Sequence, residues 1–239
     1  MSSLENERRR QRSSPFGEYA LPDGRGAAAL ASFGLGAAFC VGGWLLASSG
    51  PLSTFGAYVV ALSAFHQCEY LAVAAWRADT LCFDSFCLNH STAYAVAAVA
   101  SGVEYAVESR YYPGWKVWWG VPLLGAGMVA AGHAIRLLAF AHCGSNFSHL
   151  VEVRDREDHE LVDGGVYAYL RHPAYFGWFW WSIGTQLLLC NPLCAVAYAL
   201  AANRFFASRI PHEESTLLHF FGESYERYMD RTVVGIPFI

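Results

Sequence analysis

Charge is withheld from long stretches of this chain. No Asp, Glu, Lys or Arg occurs between Arg25 and Glu69, a run of 43 residues. The intervals Asp84 to Glu104 and Lys116 to Arg136 are charge-free over 19 residues each, and Arg171 to Arg204 over 32. A helix needs about 20 mostly apolar residues to cross the hydrocarbon of a bilayer. Gly50-Pro51 divides the first run and Asn191-Pro192 the last, pairs that stop a helix and turn the chain. The pattern predicts helices at about 27–48, 52–76, 90–109, 116–140, 174–190 and 193–208. The last two are short and only just cross.

Six crossings put both ends on one side. Fourteen of the sixteen basic residues fall on or near one face, and only Arg110 and Lys116 on the other. Positive charge is retained inside, so both termini and the 141–173 segment are expected in the cytosol. Residues 1–24 read as a polar, disordered cytosolic tail ahead of a signal-anchor helix that is not removed. Residues 25–140 read as transmembrane helices one to four, and 141–239 as the catalytic region, with a helical hairpin at 174–208. From 209 onward, Leu217, Leu218, Phe221, Tyr225, Tyr228 and Met229 recur at helical spacing opposite charges, which predicts a C-terminal amphipathic helix. The fold class is all-α, a polytopic membrane helical bundle of about six transmembrane helices.

Composition narrows the function. Hydrophobic residues make up 54% of the 239 positions and charged residues 15%, against roughly 25% charged in soluble domains. A net charge of −4 without a basic face interleaved with aromatics excludes a nucleic-acid surface. Seven cysteines with no CxxC spacing indicate neither a disulfide framework nor a zinc site. They read as small buried hydrophobes, and no metal is expected. Gly125-Ala126-Gly127-Met128-Val129-Ala130 fits a dinucleotide-binding string but lacks the preceding strand that such a turn needs. Close helix packing through small residues is the better reading.

Ionisable residues within apolar helices are costly and therefore informative. Glu69, Glu104 and Glu108 read as helix-end or interhelical partners, beside His66 and His133, and Arg136 as a snorkelling side chain. Two clusters stand out on the cytosolic side. Arg171-His172-Pro173-Ala174-Tyr175-Phe176-Gly177 opens the fifth helix, with Pro173 suited to its first turn and uncapped N–H groups facing outward to favour an anionic ligand. Around Pro211 lie Arg204, Arg209, Glu213 and Glu214. Arg209 offers a planar fork for a carboxylate at the lipid boundary, and Glu213 or Glu214 an acceptor for a cationic or hydroxyl-bearing ligand. Ordinary helix starts account for the same residues, so composition and spacing leave both readings open.

At these residues the chain resembles the isoprenylcysteine carboxyl methyltransferase family. The resemblance rests on Asn146-Phe147-Ser148-His149, Gly165-Val166-Tyr167, the Arg-His-Pro-x-Tyr-x-Gly motif at 171–177, and Trp181-Ser182-Ile183-Gly184-Thr185-Gln186. Arg204-Phe205-Phe206, Arg209 with Glu213-Glu214, Phe220-Phe221-Gly222-Glu223 and Pro237-Phe238-Ile239 continue it. The first four helices match mainly by hydropathy, and the chain is expected to lack two helices that usually open the animal members.

The resemblance implies S-adenosyl-L-methionine as methyl donor. It implies a cytosolic cofactor-binding segment, with donor contacts at Glu152, His159, Glu160, Leu161, Val162, Tyr167, His172, Pro173, Ala174, Tyr175 and Glu213. It places Arg209 on the substrate side and makes Arg209 and Glu213 the expected catalytic pair. The implied partners are C-terminally farnesylated or geranylgeranylated proteins and the lipid bilayer, at the endoplasmic reticulum membrane. A prenyl chain would enter sideways between helices lined by Trp178, Phe179, Trp180 and Trp181. Similar Arg-His-Pro strings occur in NADPH-dependent sterol reductases, whose 2′-phosphate would need a basic cluster such as Arg154, Arg156 and Arg171. A non-catalytic membrane scaffold is the third reading.

Overall fold

The computed structural model describes residues 25–88, 91–116, 118–146 and 160–239. The described residues are helical, and extended pairing among them is limited to an isolated bridge between Leu170 and Val233. In chain order the main helices are α1 (Arg25–Leu46), α2 (Leu52–Trp76), α3 (Thr92–Tyr111), α4 (Gly120–Cys143), α5 (Pro173–Leu188), α6 (Pro192–Phe221) and α7 (Glu223–Arg231). Two stretches, Gly26–Leu46 and Gly120–Cys143, are long and apolar enough to cross a membrane by length and composition. Helix α5 has 16 residues, and α3 carries Glu104, Glu108 and Arg110. Contacts divide the chain into two compact units, residues 1–95 and 96–239.

In the first unit α1 and α2 meet where neither has a side chain. A Cβ on Gly42 would lie 3.0 Å from the Gly56 carbonyl oxygen. His66 is 2% exposed. Its Nδ1 lies 2.8 Å from the Phe86 carbonyl, which only accepts, so Nδ1 carries the proton and Nε2 accepts from the Tyr94 hydroxyl at 3.0 Å. Glu69 is fully buried, with the Cys87 Sγ 3.8 Å from its carboxylate.

In the second unit α4 and α5 run antiparallel through two glycine pairs seven residues apart, Gly125 with Gly184 and Gly132 with Gly177. The dinucleotide-like string is therefore a packing surface, as its small residues suggest. Glu104 accepts from the Leu193 and Cys194 amides at 2.8 and 2.7 Å and so caps the start of α6. Lys116, in the one-turn helix Pro113–Lys116, is fully buried against Glu108 and the last carbonyls of the α5 end. Both glutamates are thus helix-end partners.

Four expectations need correction. The sixth helix does not end near 208: α6 continues through Pro211 to Phe221. An internal proline removes a hydrogen bond and costs about 3 kcal/mol, but Phe206 and Ile210, 2% and 1% exposed, anchor the turn before it in a core with Phe179, Val234 and Ile236, and Glu213 and Glu214 are hydrogen-bonded to the start of α5 just after it. The amphipathic helix is accordingly only α7, begun after Gly222 at φ 50° and held by buried Tyr225 and Tyr228. Arg136 does not snorkel. It is 7% exposed and donates from Nη1 to the Ala174 carbonyl at 3.1 Å. Among the cysteines only Cys194 is fully buried, and Cys40 is exposed, because most lie on outward or helix-end positions. Finally, Phe179 and Trp181 are 3% and 2% exposed. Trp181 sets its backbone nitrogen and Cβ against Gly132, and both side chains are buried instead of open at a helix surface.

Candidate active site

The site is built where the start of α5 meets the second half of α6. Pro173 occupies the first turn of α5, and His172 precedes it. Proline has no N–H to satisfy there. The amides of Tyr175 and Phe176 already donate to the His172 carbonyl, at 3.1 and 3.0 Å. The first turn thus offers fewer N–H groups to an anion than the sequence suggests. Arg136 holds the carbonyl of the same turn from α4, placing a cation at the end of a helix that by itself disfavours one.

On α6, Arg209 and Glu213 stand one turn apart, and Glu214 follows. The Tyr175 hydroxyl donates to Glu213 Oε2 and accepts from Arg209 Nε at 2.8 Å. The phenol ring lies parallel to the His172 ring, with centroids 5.4 Å apart and 9° between planes, and packs at 5.0 Å on Phe206. The Arg209 guanidinium carbon is 5.5 Å from the Tyr175 centroid and 5.9 Å from that of Phe205.

His172 sits between the two carboxylates. Its Nε2 donates to Glu214 Oε1 at 3.2 Å, and its Nδ1 lies 3.7 Å from Glu213 Oε1. Arg171 reaches the same Glu214 oxygen through Nε at 2.5 Å and the Thr232 carbonyl through Nη1 at 2.9 Å. Partial burial of Glu214 works against its charged form. Hydrogen bonds from His172 and Arg171 outweigh that burial and hold its carboxyl below the ordinary value. Glu214 keeps 14% of its side chain exposed and Glu213 24%, so Glu213 is the more reachable acceptor.

The structure therefore brings together His172, Pro173, Ala174, Tyr175, Arg209 and Glu213. Tyr167 lies in the turn Gly165–Ala168, its carbonyl accepting from Tyr228 at 2.8 Å. Burial raises its phenol well above the ordinary value, Cys143 adds to this, and the Glu213 charge contributes last. Glu160 is exposed, and Leu161 and Val162 are half-buried. No hydrogen bond or ion pair among the described residues ties these three to the cluster. Glu152 and His159 lie outside the described residues. Sequence reasoning offered Glu214 only as an alternative to Glu213 and Arg171 only as a candidate for a 2′-phosphate, and it gave no role to the Thr232 carbonyl. Arg171 opens the motif and Glu214 adjoins Glu213, but only the fold shows that they bind each other. With its guanidinium so engaged, Arg171 is poorly placed for a nucleotide 2′-phosphate.

What this arrangement suits is the handling of opposite charges side by side, a cationic fork and a carboxylate bridged by one phenol. A model of the isoprenylcysteine carboxyl methyltransferase (ICMT) family matches residues 125–219, a span containing most of these groups. A Xenopus laevis protein named protein-S-isoprenylcysteine O-methyltransferase is 48% identical over 209 residues, 87% of this chain and 72% of that protein. The Homo sapiens protein of the same name is 46% identical over 205 residues, 86% of this chain and 72% of its own length. A solved structure described as the eukaryotic intramembrane Ras methyltransferase ICMT superposes with a TM-score of 0.86 at 42% identity, covering 88% of this chain and 76% of that one. The chain belongs to the isoprenylcysteine carboxyl methyltransferase family.

Proposed function

We propose that the protein transfers a methyl group from S-adenosyl-L-methionine to the α-carboxylate of a C-terminal prenylcysteine, giving a methyl ester. The observation that carries this reading is the Arg209–Tyr175–Glu213 bridge, a carboxylate-binding fork fixed beside an acceptor carboxylate. The substrates differ in kind. A farnesyl or geranylgeranyl chain favours lipid, while the carboxylate at its end favours water and a cation. A reaction on that carboxylate belongs at the interface. Outward-facing Phe33, Leu123 and Leu200, 77%, 62% and 67% exposed, suit helices surrounded by lipid.

Six membrane crossings, both termini in the cytosol and residence in the endoplasmic reticulum membrane complete the reading. Residues 25–140 supply the first four crossings, and 141–239 the chemistry.

The donor set fits the methyl donor. The Glu213 oxygens have acceptor capacity beyond the Tyr175 hydrogen bond, and His172, Tyr175 and the first turn of α5 adjoin them. The family likeness adds Glu152, His159, Glu160, Leu161, Val162 and Tyr167 as further donor contacts. S-adenosylmethionine, when bound, supplies an electrophilic methyl group on a sulfonium.

The chain itself needs no general base, because an α-carboxylate titrates near about 3.5 and is ionised at neutral pH. Arg209 orients the carboxylate, and its fork fixes two oxygens where a point charge fixes neither. Phe205, Phe206 and Tyr175 keep water from the reacting oxygen. Catalysis is alignment and exclusion.

Purified full-length protein in lipid vesicles, given methyl-labelled donor and N-acetyl-S-farnesylcysteine, is expected to yield base-labile, volatile label. N-acetylcysteine, without the prenyl chain, is expected to yield none. Label in a base-stable product would contradict carboxyl esterification.

A further inference from the structure

Tyr175 does more than line a site. A phenol has one proton to give and lone pairs to receive. Glu213 as a carboxylate can only accept and Arg209 can only donate, so the direction of both bonds is fixed: guanidinium to phenol, phenol to carboxylate. Each bond has an ionic partner, and bonds in series polarise one another. The ring cannot swing away easily. His172 lies parallel to it, Phe206 packs on it, and Arg209 stands by it. With Nε held by the phenol, the orientation of the guanidinium plane is constrained.

We propose that the Tyr175 hydroxyl is a positioning group that couples the two substrates, joining the guanidinium that takes the acceptor carboxylate to the carboxylate that faces the cationic donor. This rests on the methyl-transfer reading above. Through the phenol, Arg209 and Glu213 offset part of each other's charge. An anion at Arg209 leaves Glu213 less compensated, and so favours a cation beside it. A cation at Glu213 likewise favours an anion at Arg209. Coupling of this kind is reciprocal by thermodynamic necessity. Direct attraction between the two ligands adds to it. The hydroxyl contributes by holding both groups at fixed spacing and orientation, so that neither ligand spends binding energy on ordering them.

The test is equilibrium binding to the full chain in lipid nanodiscs. The donor probe is sinefungin, which carries an ammonium in place of the sulfonium and transfers nothing. Its affinity is measured with and without saturating N-acetyl-S-farnesylcysteine. For the native chain the acceptor is expected to tighten sinefungin by at least about fivefold. Tyr175→Phe keeps the ring and removes the hydroxyl. The readout is the ratio of sinefungin affinities with and without acceptor, which is expected to fall toward unity in this variant. Its acceptor KM is expected to rise more than its kcat falls. A second measurement needs no variant: the acceptor's carboxamide, which lacks the negative charge, is expected to leave sinefungin binding to the native chain unchanged.

Undiminished coupling in a folded Tyr175→Phe protein would overturn the proposal, as would full coupling with the carboxamide. A native chain that binds both ligands independently overturns the coupling alone. A native chain that binds neither overturns the methyl-transfer reading, and this inference with it.

Discussion

Gly132 on α4 and Gly177 on α5 leave no room between them for a methyl group. A Cβ built on Gly132 would stand 2.5 Å from the Gly177 carbonyl oxygen and 2.8 Å from the Trp181 amide nitrogen. The neighbours are backbone and cannot yield. Gly132→Ala is therefore expected to destabilise the protein by about 1–3 kcal/mol, the usual cost of overpacking. Gly127, in the same helix, has nothing within 4 Å of its added Cβ. Gly127→Ala is expected to be neutral or stabilising by up to about 1 kcal/mol. Thermal unfolding of the two variants in detergent checks the pair.

Lys116 is the most deeply buried cation described in the second unit. Its three ammonium protons are shared among four acceptors: Glu108 at 2.5 Å, the Leu189 and Cys190 carbonyls at 2.7 and 2.8 Å, and Asn191 Oδ1 at 3.0 Å. It thereby satisfies the carbonyl end of α5, where the helix dipole favours a cation. Lys116→Met strands Glu108 and those carbonyls, and is expected to cost about 3–5 kcal/mol. Adding Glu108→Leu is expected to recover part of that loss, because the uncompensated charge goes with it. Unfolding midpoints of the single and double variants decide the matter.

The lowered pKa of Glu214 gives a pH dependence with a definite sign. A carboxyl depressed in the folded state contributes stability that is fully present above its unfolded value, about 4.3 for glutamate. That contribution is lost as pH falls through the lower folded value. The stability difference between the native chain and Glu214→Gln is thus expected to stay constant from pH 8 to about pH 5 and to shrink below that. Unfolding measured across that range tests it. A difference that shrinks already between pH 7 and 6 would mean that another group governs the cluster.

Much of this molecule is visible in its sequence, and the failures share a physical cause. Charge-free runs, and the helix-stopping pairs that divide them, located α1 to α5 to within a few residues. The glycines of α4 announced a close contact, though only the fold identifies Gly177 and Gly184 as their partners. Pro211 misled, because a proline followed by acids marks a helix start in most settings. Here the core contacts of Phe206 and Ile210 before it, and the hydrogen bonds of Glu213 and Glu214 after it, carry α6 through. In the site, Arg209, Glu213, His172 and Tyr175 could be singled out from their chemistry and from the family likeness. The roles of Arg171 and Arg136 could not, since each binds an acceptor far away in the chain, Glu214 and the Ala174 carbonyl. Long-range pairing leaves no periodic trace.

The donor side of the site is distinguishable from the acceptor side. Glu213→Gln keeps the shape and removes the charge that the proposed reading sets toward the donor, and is expected to weaken binding of S-adenosylmethionine about tenfold or more. Equilibrium binding without acceptor measures this, and an unchanged affinity would remove Glu213 from the donor site.

The most direct measurement is methyl-ester formation on N-acetyl-S-farnesylcysteine by the native chain and by Arg209→Lys, with S-adenosylmethionine binding measured on the same preparations. Lysine keeps the charge and loses the fork and the Nε hydrogen bond to Tyr175. The account predicts ester formation by the native chain, a loss of at least about tenfold in kcat/KM for Arg209→Lys, and donor affinity within about threefold of native. Near-native turnover by Arg209→Lys, or a native chain that binds the donor and forms no ester, would contradict it.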